Sequence, residues 1–141
     1  MSSLSFPDVN VWLALVADHV HYEPARQWWA EDQSEIVAFG RVTQIGLLRL
    51  LTNSAVMNGK PLSMKAAWTI YDKLFEDIRV ARIAEPPGIE KPFRDYSWTK
   101  ASSQKLWADA YLLAMAKELG ATLITFDRAL ARRAPNSLLL P

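Results

Sequence analysis

Asp8, Asp109 and Asp127 are the residues of this chain whose types and settings could do chemistry together. Acids brought close together repel, so a gathered set either shares a proton or is neutralised by a cation. Asp109 lies in Trp107-Ala108-Asp109-Ala110-Tyr111-Leu112-Leu113, an apolar helical stretch in which a charge without a partner is expensive. Asp8 and Asp127 each follow a short apolar run, Leu4-Ser5-Phe6 and Ala121-Thr122-Leu123-Ile124-Thr125. Taken singly, each acid has an ordinary reading as a turn, a helix cap or a first-turn acid favoured by the helix dipole. Three of them converging favours a site. The chain has no cysteine, and His19 and His21 are its only imidazoles. Any divalent metal held here would therefore take mainly oxygen ligands, which suits Mg²⁺ or Mn²⁺ rather than structural zinc. Such an ion suits phosphodiester hydrolysis, because it lowers the pKa of bound water and offsets charge on the phosphate.

The elements that must position these acids can be read from periodicity. Leu4–Phe6 predicts a brief buried strand with Asp8 just past its end, followed by a helix over 10–17 with Val11, Trp12 and Leu15 inward. A second helix is expected over 22–32, with Pro24 in the first turn, where proline is tolerated. Ile36–Phe39 predicts a strand, and Thr43 is expected to cap a helix to about Leu51 with Ile45, Leu48 and Leu51 inward. Ser63 is expected to cap a helix presenting Met64, Ala67, Trp68, Tyr71, Leu74 and Phe75 at helical spacing. Residues 79–84 predict a strand stopped by Pro86-Pro87-Gly88. Residues 97–119 read as two helices broken near Trp107, with Gly120 as a left-handed stop. A strand over 121–125, a short helix from Arg128 and a strand around 138–140 complete the chain. Strands alternating with helices imply right-handed crossovers and a parallel sheet covered on both faces. Ligands bind such folds at the carboxyl ends of the strands, where Asp8 and Asp127 are expected.

At 141 residues, half of them hydrophobic and 22% charged, the chain reads as one ordinary globular domain over 1–141. It shows neither a signal-peptide pattern nor an apolar run of membrane-spanning length, so a soluble cytoplasmic protein with no membrane association is expected. The net charge of +1 conceals an asymmetry: residues 1–40 carry a balance of −5 and the remainder +6. An acidic patch set against a basic remainder is what a metal site facing a polyanion would show.

Three short motifs carry a family resemblance. Pro7-Asp8-Val9-Asn10-Val11-Trp12-Leu13 resembles the opening D-x-N motif of PIN-domain ribonucleases, and residues 107–114 resemble their D-A-Y-L-x-A helix. Thr125-Phe126-Asp127 resembles the closing T-x-D, and the order and spacing match over nearly the whole chain. The look is nearest to VapC-type toxins of prokaryotic toxin–antitoxin pairs. The resemblance implies a PIN-like α/β/α sandwich with a central parallel sheet and Mg²⁺- or Mn²⁺-dependent hydrolysis of RNA by metal-activated water. It also implies frequent homodimers and an antitoxin that folds over the site. By position, Asp8, Asp109 and Asp127 would bind the metal, and Asn10 and Thr125 would orient them by hydrogen bonds.

The family commonly places a fourth acid on the helix after the second strand. Gln44 is read at that place, and an amide oxygen there would contribute a contact but no charge. Arg49 and Arg128 are the expected phosphate contacts. The remaining bases, Arg41 and Arg133 among them, are expected on solvated surface. The tryptophans, including Trp98 and Trp107, are expected mainly in packing. Two other readings compete. One is a catalytically degenerate PIN-like module that binds protein. The other is a phosphotransfer receiver, which would need an acidic pair after the first strand that this chain lacks. A haloacid-dehalogenase-type phosphatase is disfavoured because Asp8-Val9-Asn10 breaks its D-x-D.

Overall fold

The computed structural model describes residues 3–17 and 21–141; His19, one of the two candidate imidazoles, lies outside the described residues. The described elements run β1 (Leu4–Pro7), α1 (Val9–Val16), α2 (Tyr22–Glu31), β2 (Ile36–Phe39), α3 (Arg41–Leu51) and α4 (Met64–Leu74). They continue with β3 (Val80–Arg82), α5 (Glu90–Ser97), α6 (Lys105–Leu119), β4 (Thr122–Thr125), α7 (Arg128–Arg133) and β5 (Ser137–Leu139). The five strands form one sheet in the order β3-β2-β1-β4-β5, and every pairing is parallel. The fold class is therefore the expected one, a central parallel sheet flanked by helices.

Alternation along the strands sorts the core into two layers, because successive side chains point to opposite faces. Val37 and Phe39 of β2 pack with Trp12, Leu47, Leu51 and Tyr71 of α1, α3 and α4 on one face. Ala38, between them, faces the other way and packs with Phe6, Leu113, Met115 and Leu123 beneath α6. The chain builds outward from β1 to β2 and β3, then returns to place β4 on the opposite side of β1. That reversal opens a crevice between the carboxyl ends of β1 and β4, the place where parallel sheets accommodate ligands.

Three expectations change. Gly40, not Thr43, caps α3: it is extended, its carbonyl accepts from the Gln44 N–H at 3.0 Å, and the helix begins at Arg41. The inward face of the helix is Thr43, Gln44, Leu47 and Leu51, and Ile45 is half-exposed. The break expected near Trp107 is not there, because α6 runs through that residue. α5 begins at Glu90, ahead of the expected start, and residues 98–104 break it from α6. In that break the Thr99 hydroxyl accepts from the Ala101 N–H at 3.2 Å, a local bond that competes with helix. Finally, Trp98 is 80% exposed and Met64 and Trp68 also face outward rather than serving the core, whereas Trp107, though 60% exposed, keeps the expected helix packing, edge-on to Phe93 of α5 at 6.1 Å. Gly120 does close α6 at φ 62°, a conformation that favours glycine.

Candidate active site

β1 ends at Pro7, and Asp8 is held there from three directions. Its own N–H donates to the Ile124 carbonyl at 2.9 Å, tying the end of β1 to β4. Its Oδ1 caps α1, accepting from the N–H groups of Asn10 at 3.0 Å and Val11 at 3.2 Å. Its Oδ2 accepts a short hydrogen bond from the hydroxyl of Thr125, the fully buried last residue of β4. The same hydroxyl accepts from the Asp127 N–H at 3.0 Å. One threonine thus links the first and third acids, and β1–β4 pairing fixes their relation.

Asp127 caps α7 through Oδ1, which accepts from the Leu130 N–H at 3.1 Å, and its side chain is exposed. Asp109 projects from the first part of α6, half-buried, and makes no side-chain hydrogen bond among the described residues. All three acids line a single cleft of about 420 Å³. Asn10, Thr43, Gly46 and Arg49 line it as well, with Val42, Ile45 and Leu112 as an apolar wall. Gly46 allows the approach of α3 to α1: a Cβ there would stand 3.2 Å from a Val9 methyl.

The electrostatics of the cleft favour an incoming cation. Burial raises the Asp8 pKa, the Thr125 hydroxyl and the Val11 and Asn10 N–H groups lower it, and the Asp127 charge raises it again. Burial raises the Asp109 pKa too, with Asp127 adding to the effect and Arg133 opposing it. Both groups are thus destabilised as anions in part by the same neighbour. Among the described residues, no three His, Asp or Glu side chains are drawn tightly enough together to ring one ion as they stand. The donor chemistry nonetheless fits a hard cation: every acid is oxygen-bearing, Asp8 is rigidly held, and Asp109 is free of hydrogen bonds.

The structure brings together Asp8, Asp109, Asp127, Asn10, Thr125 and Arg49, but not every sequence candidate. Asn10 supplies its backbone N–H to Asp8, whereas its exposed side chain borders the cleft without a hydrogen bond. Gln44 is 4% exposed and does not line the cleft. It belongs to the inward stripe of α3 with Leu47 and Leu51, away from the cleft, and its Oε1 accepts from the Arg41 guanidinium at 2.6 Å. Arg128 is exposed at the start of α7 and also stays off the cleft wall. Sequence reasoning overlooked Thr43, a buried hydroxyl on the wall, and the influence of Arg133 on Asp109. A correct helix phase for α3 would have found the first; no local signal marked the second.

Residues 5–135 match the PIN domain family. The chain is 38% identical over 128 residues to Ribonuclease VapC41 of Mycobacterium tuberculosis, covering 86% of this chain and 88% of that protein. Among solved structures it is similar to M. tuberculosis VapC20, described as a toxin that cleaves the sarcin–ricin loop. The TM-score is 0.69 at 16% identity, over 92% of this chain and 93% of that one. It is also similar to FitAcB from Neisseria gonorrhoeae, with a TM-score of 0.58 at 22% identity over 96% of each chain.

Proposed function

Since the chain belongs to the PIN-domain family, in its VapC ribonuclease branch, we propose that it hydrolyses RNA at the cleft formed by Asp8, Asp109 and Asp127 with a divalent cation as cofactor. The observation that carries this reading is the convergence of three acids, more than 100 residues apart at the extremes, on one cleft. A bound Mg²⁺ or Mn²⁺ would neutralise these carboxylates, make water a better nucleophile and offset charge on the scissile phosphate. The protein's own part is positioning. Thr125 and the first N–H groups of α1 hold Asp8 in one orientation, while Asp109 and Asp127 supply the remaining negative charge. Arg49 is the base on the cleft wall and makes no side-chain hydrogen bond or ion pair among the described residues, which suits it to a substrate phosphate.

The wall of Val42, Ile45 and Leu112 beside these acids gives an antitoxin segment an apolar surface to cover, the partner expected of a VapC-type toxin. The nuclease reading is tested with purified protein and labelled RNA in Mg²⁺ or Mn²⁺. Asp8→Asn keeps a side chain able to cap α1, so it should fold, yet cleavage should fall by about 100-fold or more. Cleavage by Asp8→Asn at the wild-type rate contradicts the assignment.

A further inference from the structure

α3 separates two features at the carboxyl edge of the sheet. One is the acid cleft; the other is a hollow of about 280 Å³ lined by Gln44, Tyr71, Asp72, Phe75 and Arg82. Arg82 is the last residue of β3, and Arg41 follows the end of β2 by two positions. Both bases therefore lie on the same edge as Asp8 and Asp127. β3 is two strands from β1, about 10 Å along the edge at ordinary strand spacing. A single nucleic-acid strand leaving the acid cleft crosses that distance within a few nucleotides.

The hollow is rich in unused donors. Arg82 is exposed and makes no ion pair or side-chain hydrogen bond among the described residues. Arg41 donates to Gln44 Oε1, which leaves its charge uncompensated because the amide is neutral. The Tyr71 side chain borders the hollow, and its hydroxyl, buried behind the surface with the Gln44 amide as a polar neighbour, makes no well-formed hydrogen bond among the described residues. Burial raises the Tyr71 pKa most, the Gln44 amide lowers it by hydrogen bonding, and the charges of Arg82 and Arg41 lower it against a smaller opposing effect of Asp72; the net shift is upward, but the charges beside the hollow are positive in balance. A buried hydroxyl without a partner is costly, and an incoming acceptor would remove that cost. With Asp72 on the wall, the excess positive charge is small. That suits one phosphodiester rather than an extended polyanion track.

We propose that this hollow seats a phosphate of the RNA strand flanking the cleaved bond, held by Arg82, with a small shift of the Tyr71 ring bringing its hydroxyl to the phosphate and Arg41 acting through Gln44. The inference rests on the RNA-hydrolysis reading and adds to it a second binding point that sets how substrate length is sensed. Gln44 then serves the substrate path rather than the acid cluster.

The test measures fluorescence anisotropy of single-stranded RNA, an octanucleotide and a dinucleotide, in an Asp109→Asn background that keeps RNA intact. Arg82→Gln removes an exposed charge, and Tyr71→Phe removes one hydroxyl and keeps the buried ring, so both should fold. Arg82→Gln should weaken octanucleotide binding about tenfold and lower the slope of log affinity against log salt by about 1. Tyr71→Phe should weaken it less, and neither should change dinucleotide binding. Lys60→Gln, on a distant exposed loop, should change nothing. Unchanged octanucleotide binding in both variants overturns the proposal. So does an equal loss for both lengths, or no RNA binding by the parent. Failure of the hydrolysis reading shows separately, as RNA cleavage that persists in Asp109→Asn.

Discussion

Two charged clusters in this molecule, built from the same kinds of residue, are arranged to opposite ends. At the amino edge of the sheet, Arg79 meets Asp77 with two parallel bonds, at 3.0 and 2.8 Å. Its third nitrogen donates to the Trp29 and Asp32 carbonyls at the end of α2, at 3.1 and 2.9 Å, and the guanidinium lies 4.6 Å over the Trp29 ring. Every charge there has a partner inside the protein, and the Arg79 hydrogen bonds hold the Asp77 pKa below the ordinary carboxylate range. At the carboxyl edge, Asp8 and Asp109 are instead pushed upward, and among the described residues no base forms an ion pair with them, although the charge of Arg133 opposes the shift at Asp109. The first cluster fastens α2 to the turn before β3. The second gathers acids without such pairing, which is what the proposed cation would offset. The ion-paired Asp77 is shifted down by Arg79, whereas Asp8 and Asp109 are shifted up, chiefly by burial.

That contrast can be sharpened by variants at each end. The largest effect is expected at Thr125, whose hydroxyl serves both Asp8 and Asp127. Thr125→Val keeps the shape and removes the bonds, so divalent-cation affinity should fall about 10- to 100-fold in a calorimetric titration. An unchanged affinity would mean that Asp8 needs no orientation. Arg79→Met should leave cation binding untouched yet cost about 2 kcal/mol in urea unfolding at neutral pH, because charged hydrogen bonds and helix-end carbonyls lose their partner. That difference should depend on pH. The folded-state Asp77 pKa lies below its unfolded value, so the pair's stabilisation is complete above the unfolded pKa and is lost as pH falls through the folded one. Wild type and Arg79→Met should therefore converge in strong acid. A gap that persists there would assign the stabilisation to packing on Trp29.

Much of this arrangement was legible before the fold was known, and the exceptions have local causes. Asp8 and Asp127 could be placed because short apolar runs ending at an acid fix both strand and exit point. Asp109 could be placed because a charge in an apolar helix demands a reason. Gln44 could not, because α3 offers two apolar stripes, and the one that packs inward is Thr43, Gln44, Leu47 and Leu51 rather than Ile45, Leu48 and Leu51, so a residue placed by motif lies buried away from the cleft. α5 and the break at 98–104 were hidden because the Thr99 hydroxyl bond to Ala101 leaves no trace in hydrophobic periodicity. Trp98 was expected in packing and is exposed, because spacing cannot tell an inward stripe from an outward one, whereas Trp107 does pack, against Phe93.

The central claim is that the three acids form an incomplete cation site. It is tested most directly by titrating Mn²⁺ into the wild-type protein and into Asp109→Asn, with binding read by calorimetry at neutral pH and again under acidic conditions. The raised pKa values of Asp8 and Asp109 place protons in competition with the metal. The folded-state pKa values exceed the unfolded ones, so the anionic cluster destabilises the metal-free protein as pH rises through them. Wild type should bind at neutral pH and lose affinity as pH falls into that raised range, and Asp109→Asn should bind at least tenfold more weakly at neutral pH. Equal Mn²⁺ affinity in the two proteins, insensitive to pH, would contradict the account.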